Sequence, residues 1–253
     1  MAAGFWRLRR AGVIAVRRQL LRFGLDLVKV ADGVSCLLPE IRQVMRDTGM
    51  LLNGCEAYQV IALTAATAKI AGAIAEVGVY RGGSARLICQ VKGDRPLHLF
   101  DSFEGLSTTT AADSGSRCYR GQFRSNIDSV RQYLSEYSNV FFHRGWFPDT
   151  AAAVEDERFS FVHLDVDLYE PTRAGLEFFY PRLSSGGVLL SHDYYFAGVQ
   201  KAFTDFFADK PEIVVPQAAG SQCFLIKLPT GPSLTSLLKD REQVSLSRPG
   251  RDR

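Results

Sequence analysis

The sequence predicts an α/β fold: a mostly parallel sheet of seven strands, closed by a C-terminal antiparallel hairpin, with helices on both faces. Three observations carry that expectation. Short apolar runs alternate with helix-spaced segments across residues 56–238, the pattern of a parallel sheet covered on both sides. Five of those runs end in glycine or polar clusters, as strands do when they deliver a site at one sheet edge. The chain has 253 residues, 46% of them hydrophobic, enough to bury a core without disulfide staples.

The elements follow in order. Pro39–Met50 puts Ile41, Val44 and Met45 at helical spacing. Glu56–Ala71 is a second helical stretch free of Gly and Pro. Ile74–Val79 is an apolar strand that ends near Gly82-Gly83. Ser84–Val91 reads as a helix and Leu97–Phe100 as the next strand. Ser125-Asn126-Ile127-Asp128 resembles a capping box, opening a helix with Ile127, Val130 and Leu134 on one face. Val140–His143 and Phe159–Leu164 are further strands, and Pro171 starts a helix to about Tyr180. Gly186-Gly187 is expected to turn into a fifth strand, Val188–Ser191, followed by a helix around Val199–Ala208. Glu212–Val215 and Cys223–Leu228 form the terminal antiparallel pair.

Charge is uneven. Residues 1–22 hold six Arg and no acid, while residues 239–253 hold five basic and three acidic residues. The remainder carries 19 basic and 24 acidic residues, a net of −5. A mildly acidic body has no electrostatic footprint for nucleic acid. No uncharged apolar run reaches the roughly 18 residues of a membrane span. The arm at 5–25 mixes Arg with Phe5, Trp6, Leu20 and Leu21; it reads either as an amphipathic helix packed on the body or a second subunit, or as one lying on an anionic membrane. Five scattered cysteines without a CxxC pair argue for reduced, buried thiols. The expected organisation is a helical arm or lid at 1–55, basic at its start, a body at 56–238, and a disordered tail at 239–253.

The strand ends carry the chemistry. Gly78, Gly82 and Gly83 suit a tight strand-to-helix bend where a ligand approaches bare backbone. A P-loop would need Lys where Ser84 stands, and a dinucleotide fingerprint would need Gly at Tyr80. Glu76, just before the bend, would repel a pyrophosphate and attract an ammonium. Asp101 follows Gly78 by 23 residues, suited to gripping a ribose diol. An amino-acid end plus a ribose suggests S-adenosylmethionine, with Trp146 and Phe147 beside its adenine or packed in the core.

The blocks AEVGVYRGGSA (75–85), FDSFEGL (100–106), GWFPDT (145–150), HLDVDLYEPT (163–172), YPRLSSGGVLLSHDYY (180–195) and GVQKAF (198–203) resemble the class I S-adenosylmethionine-dependent methyltransferases, and among them the TylF/MycF-type macrocin O-methyltransferases, which methylate sugar hydroxyls. The resemblance covers about half the chain. It implies a Rossmann-like methyltransferase sheet. It also implies that Glu76, Gly78, Tyr80 and Ser84 contact the methionine part of the cofactor and that Asp101 holds the ribose hydroxyls; Gly82, Ser102 and Trp146 are further cofactor-binding candidates. Asp165 and the pair His192-Asp193 would hold a divalent metal, usually Mg²⁺. Related proteins commonly carry Asp-Asp or Asp-Asn at that pair; imidazole is a poorer ligand for Mg²⁺ and a better one for transition metals. Three outcomes stay open: His192 ligates a softer ion such as Mn²⁺, leaves the metal to the aspartates, or acts as general base. Catechol-type relatives place a Lys shortly after the first metal aspartate. Leu168 and Tyr169 stand there instead, so Asp165, Asp167 and His192 are the candidates for proton removal. Asp113–Gln122 suits a mobile lid, and Tyr194, Tyr195 and Phe196 either stack on a sugar or pack in the core.

The expected function is a metal-assisted O-methyltransferase acting on a sugar hydroxyl of a natural product or surface glycan. Its partners would be that small-molecule or glycan acceptor and further copies of itself in a homo-oligomer. Its location would be the cytoplasm, or the membrane surface through residues 5–25. The second reading is a non-catalytic protein of this fold recruited by its Arg-rich arm.

Overall fold

The computed structural model describes residues 37–218 and 220–229. The arm at 5–25, Cys36 and the tail at 239–253 lie outside the described residues. Apart from Leu37–Pro39, the described residues fall within one compact unit.

Two helices open the described region, α1 (Leu38–Thr48) and α2 (Gly54–Ala66). Asn53 caps α2 by accepting from the amides of Cys55 and Glu56, and Glu56 returns a bond to the Asn53 amide; that reciprocal box fixes the helix start. Then come β1 (Ala73–Val77), α3 (Gly83–Val91), β2 (Leu97–Asp101), α4 (Ile127–Tyr133), β3 (Val140–Arg144), β4 (Phe159–Leu164), α5 (Tyr169–Phe179), β5 (Leu183–Ser191), α6 (Ala197–Phe207), β6 (Val215–Pro216) and β7 (Cys223–Ile226).

The seven strands form one sheet in the order β3-β2-β1-β4-β5-β7-β6. The first five run parallel, and β7 pairs antiparallel with both β5 and β6. Strand order reverses between β1 and β4, so right-handed crossovers lay helices on opposite faces. Both central strands are buried along their whole length, as a sheet covered on both sides requires. Phe100, Phe159, Phe179 and Phe203 fill the core beside them. Each such ring contributes roughly 1.5–3 kcal/mol by burial.

Three boundaries differ from the sequence reading. β5 begins five residues earlier than Val188, because Gly186-Gly187 forms an irregularity inside the strand, with a register shift against β4. The cap of α4 is Asn126, which accepts from Asp128 and Ser129; Ser125 Oγ has no partner. Strand β6 is two residues long because Glu212 turns its carboxylate to the Tyr180 hydroxyl and Lys227, and Pro216 has no amide to extend a ladder. All four described cysteines are free: Cys89 and Cys223 are buried, but Cys55 is exposed and Cys118 half-buried. No described helix is long and apolar enough to cross a membrane.

Strands β2 and β3 share a histidine pair, His98 Nδ1 lying 3.0 Å from His143 Nε2. Burial, then the neighbouring His143, pushes His98 down to about 4. The imidazole is therefore neutral when folded, and its contribution is complete above the unfolded value near 6.5 and lost as pH falls toward 4. Urea titrations across that window should lose up to about 3 kcal/mol of unfolding free energy from this group. In His98→Gln the loss should shrink; an unchanged slope would assign the acid sensitivity elsewhere.

Candidate active site

The parallel ladder continues past the strand ends and sets them side by side. The Gly78 amide donates to Phe100, Asp165 to Val77, His192 to Leu164 and Gly145 to Asp101, all at 2.9–3.0 Å. These ends, with the α1–α2 connection, enclose a cavity of about 540 Å³ lined by Thr48, Met50, Gly78, Tyr80, Ser84, Asp101, Ser102, Trp146, Phe147, Asp165, Asp167, His192 and Asp193, among others. It lies at the strand-order reversal, where open α/β sheets bind ligands, and its volume suits a small molecule.

Gly78 occupies the floor at φ 88°. A Cβ there would overlap the Asp165 carbonyl oxygen, so the β1 and β4 ends approach only because position 78 is bare. Gly83 opens α3 against Thr48 and Met50, each of which would stand 2.8 Å from an added Cβ. Tyr80, Asp167 and Asp193 have φ of 51°, 62° and 53°; such left-handed non-glycine residues concentrate at functional sites.

Most of the residues expected at the cofactor line this cavity, but two do not. Gly82 caps α3 at φ 78° and faces Val130. Glu76 is fully buried one layer behind, Oε1 at 2.9 Å from His163 Nδ1, and burial raises its carboxyl above the ordinary value. The acidity facing a ligand comes from Asp101, Asp165, Asp167 and Asp193 instead. Alternation along β1 explains the difference, since neighbouring strand residues point to opposite faces.

Asp101 Oδ2 accepts from the amides of Val79 and Tyr80, each at 2.8 Å, and Oδ1 accepts from Phe103 at 2.6 Å. Three of roughly four acceptor positions on the carboxylate are thus taken, leaving one on Oδ1. Ser102 Oγ accepts from the Glu104 amide at 3.1 Å and donates to Gly105, shaping the turn.

Opposite stands the polar cluster. His192 Nδ1 lies 3.1 Å from Asp165 Oδ1 and 2.9 Å from Asp193 Oδ2. Its Nε2 lies 3.1 Å from Ser221 Oγ and 3.4 Å from Glu56 Oε1. Burial alone would lower the imidazole's pKa, but Asp165, Asp193 and Glu56 outweigh it and raise the group far above its ordinary value. Asp165 is lowered by the same His192 contact, against its burial. Asp167, buried and facing both Asp165 and Asp193, is pushed up to about 9. Glu56 falls to about 2 despite its burial, through His192, Ser221 and Asn53.

Glu56 and Ser221 were not legible as site residues. The Asn53-x-x-Glu56 pattern announces a helix start, but the carboxylate's second partner lies 165 positions away, which no local pattern reports. Asp113, expected to begin a lid, is buried, accepting from the Tyr169 amide at 2.7 Å and the Thr110 amide at 2.8 Å. The far end is tied as well, Leu106 and Gly121–Gln122 exchanging backbone bonds. Phe147 lines the cavity and also packs on Phe100 and Phe179. Tyr194 stacks edge-on against Phe203 in the core, while Tyr195 and Phe196 are exposed and away from the cavity lining.

The chain is 34% identical over 152 residues to the 8-demethyl-8-(2,3-dimethoxy-alpha-L-rhamnosyl)-tetracenomycin-C 4'-O-methyltransferase of Streptomyces olivaceus, covering 54% of this chain and 58% of that protein. It is 30% identical over 154 residues to the mycinamicin III 3''-O-methyltransferase of Micromonospora griseorubida, covering 54% and 61%. The chain thus matches about three fifths of the length of these relatives. Among solved structures, the O-methyltransferase NovP superposes with a TM-score of 0.57 at 22% identity, over 68% of this chain and 79% of that one. The calicheamicin methyltransferase CalS11 superposes with a TM-score of 0.58 at 17% identity, over 79% and 94%; both likenesses establish the fold. The macrocin-O-methyltransferase (TylF) family model matches residues 53–217, a span that includes every strand end around the cavity, and the chain belongs to that family.

Proposed function

We propose that the chain is an S-adenosylmethionine-dependent O-methyltransferase, assisted by a divalent metal, that methylates a sugar hydroxyl of a natural product or surface glycan. The observation that carries this reading is one cavity with a bare-backbone bend and Asp101 on one wall and a His-carboxylate cluster on the other. The first wall suits a donor with a cationic amino-acid end and a ribose; the second suits an alcohol. The two relatives named above act, by their names, on a rhamnosyl tetracenomycin and on mycinamicin III.

The residues divide the work. Gly78 and the α3 start bring backbone and Ser84 to the donor's amino-acid end, and the free acceptor position on Asp101 Oδ1 takes a ribose hydroxyl. The carboxylates of Asp101, Asp165 and Asp193 disfavour phosphate groups at the cavity and favour a cationic ligand. Asp165, His192 and Asp193 offer one donor atom each, all within 4.8 Å of one another. Adjacent ligands of an ion with bonds near 2.1 Å lie about 3.0 Å apart, the spacing from Nδ1 to both aspartates. These three residues fit a divalent cation, which when bound supplies Lewis-acid activation of the hydroxyl. Asp167, pushed up to about 9, holds a proton at neutral pH in the metal-free site; it becomes the candidate acceptor for the alcohol proton once a bound cation offsets the charges of Asp165 and Asp193. Both nitrogens of His192 are engaged, which favours a ligand role over a base.

S-adenosylhomocysteine should stabilise the native chain by mass action, about 2.7 kcal/mol at a hundred times its Kd. Asp101→Ala should lose most of the resulting rise in Tm. No rise at saturating ligand would overturn the reading. Transfer of a labelled methyl group to a panel of glycosides then identifies the acceptor.

A further inference from the structure

We infer that Glu56 and Ser221 hold the His192 ring so that Nδ1 is a metal ligand, making Asp165–His192–Asp193 a site for a first-row transition-metal dication in preference to Mg²⁺. The inference rests on the metal-assisted reading of this cavity and specifies which ion it selects.

Glu56 is held from several sides. Its Oε2 accepts from the Asn53 amide at 2.8 Å. Its Oε1 accepts from the Ser221 amide at 2.6 Å and from Ser221 Oγ at 3.2 Å. The carboxylate is 6% exposed, and Gly220 is bare where a Cβ would overlap it. Because Ser221 Oγ donates to Glu56, its lone pairs face His192 Nε2 at 3.1 Å. Everything near Nε2 is therefore an acceptor, which keeps a proton on that nitrogen; a cation seated between Asp165 and Asp193 then takes the place of the Nδ1 proton, and Nδ1 meets it with its lone pair. A carboxylate behind a histidine, fixing its tautomer and raising its basicity, is the usual support of a metal-bound imidazole.

The donor set that results is one nitrogen and two carboxylate oxygens. Mg²⁺ prefers an all-oxygen shell, whereas imidazole favours first-row transition ions, whose affinity for nitrogen sites follows the Irving–Williams order. Glu56 is a positioning residue here, acting through His192.

Mn²⁺ is the probe, added to the full chain and followed by electron paramagnetic resonance. Expected are at least tenfold tighter binding than Mg²⁺ in competition and spin-echo modulation from one directly bound ¹⁴N. His192→Asp should abolish the modulation and narrow the preference over Mg²⁺. Glu56→Gln, which retains a capping side chain, should keep the nitrogen signal but weaken Mn²⁺ binding tenfold or more; Ser221→Ala should act in the same direction. Mn²⁺ bound without ¹⁴N modulation, Mg²⁺ binding as tightly, or unchanged affinity in both variants would overturn the inference. A thermal shift with S-adenosylhomocysteine, run in parallel, separates the two readings: a shift without nitrogen coupling overturns only the metal assignment, and no shift overturns the methyltransferase reading beneath it.

Discussion

Gly78→Ala should lower Tm by about 10 °C and abolish the stabilisation by S-adenosylhomocysteine. The position carries two separate costs. Its φ of 88° is a conformation that disfavours any side chain by roughly 1–2 kcal/mol. The added Cβ would also overlap the Asp165 carbonyl, and neither partner is a movable side chain. The amides of Gly78 and Asp165 are both fixed in the ladder, so relief means separating β1 from β4 at the cavity floor. A total of about 3–4 kcal/mol is expected, and each 1 kcal/mol shifts Tm by about 2–4 °C at this size. Gly93→Ala isolates the first cost: Gly93 has φ 62° and nothing within 4 Å of an added Cβ. It should lose only a few degrees and keep the full ligand shift. Equal losses in the two variants would show that collision at the floor contributes nothing.

That contrast marks what the residues alone convey. Both glycines look alike in sequence, as punctuation after an apolar or helical run. The strand runs, their order of appearance and their polar ends were legible because burial on both faces demands apolar continuity. The pairing that makes Gly78 indispensable belongs to strands separated by more than eighty residues, and nothing local encodes it. Glu76 is a different case. Its place beside the bend suggests a ligand contact, and the sequence does not show that its carboxylate meets His163 across the sheet. Glu56 lay in plain view as half of a capping box, yet its contact with His192 arises only when the β6–β7 connection folds across it. Asp165, His192 and Asp193 stand out as polar strand ends, but their grouping as one ligand set came from the family resemblance; that their strands are neighbours is seen only in the fold.

Asp165→Asn should cut methyl transfer by about a thousandfold while leaving most of the S-adenosylhomocysteine stabilisation in place. The substitution keeps shape and removes one charge from the wall that activates the alcohol, and Lewis-acid activation is worth several kcal/mol, at 1.36 kcal/mol per tenfold in rate. The same change has a consequence for stability that can be read without turnover. Asp167 is pushed up to about 9 by burial first and by Asp165 next, while an unfolded Asp titrates near 3.9. A carboxyl whose folded value is raised favours the native state at low pH, and that contribution is lost as pH rises from about 4 toward 9. In chelator-treated protein, unfolding free energy should therefore fall with rising pH across this range, and fall less steeply in Asp165→Asn, because the principal charge opposing ionisation of Asp167 is gone. Carbon-13 chemical shifts of the Asp167 carboxyl should report the same downward displacement directly. If turnover collapses but the Asp167 titration stays where it was, Asp165 acts only as a ligand. If the titration moves but turnover does not, the carboxylate wall is not where the alcohol is readied.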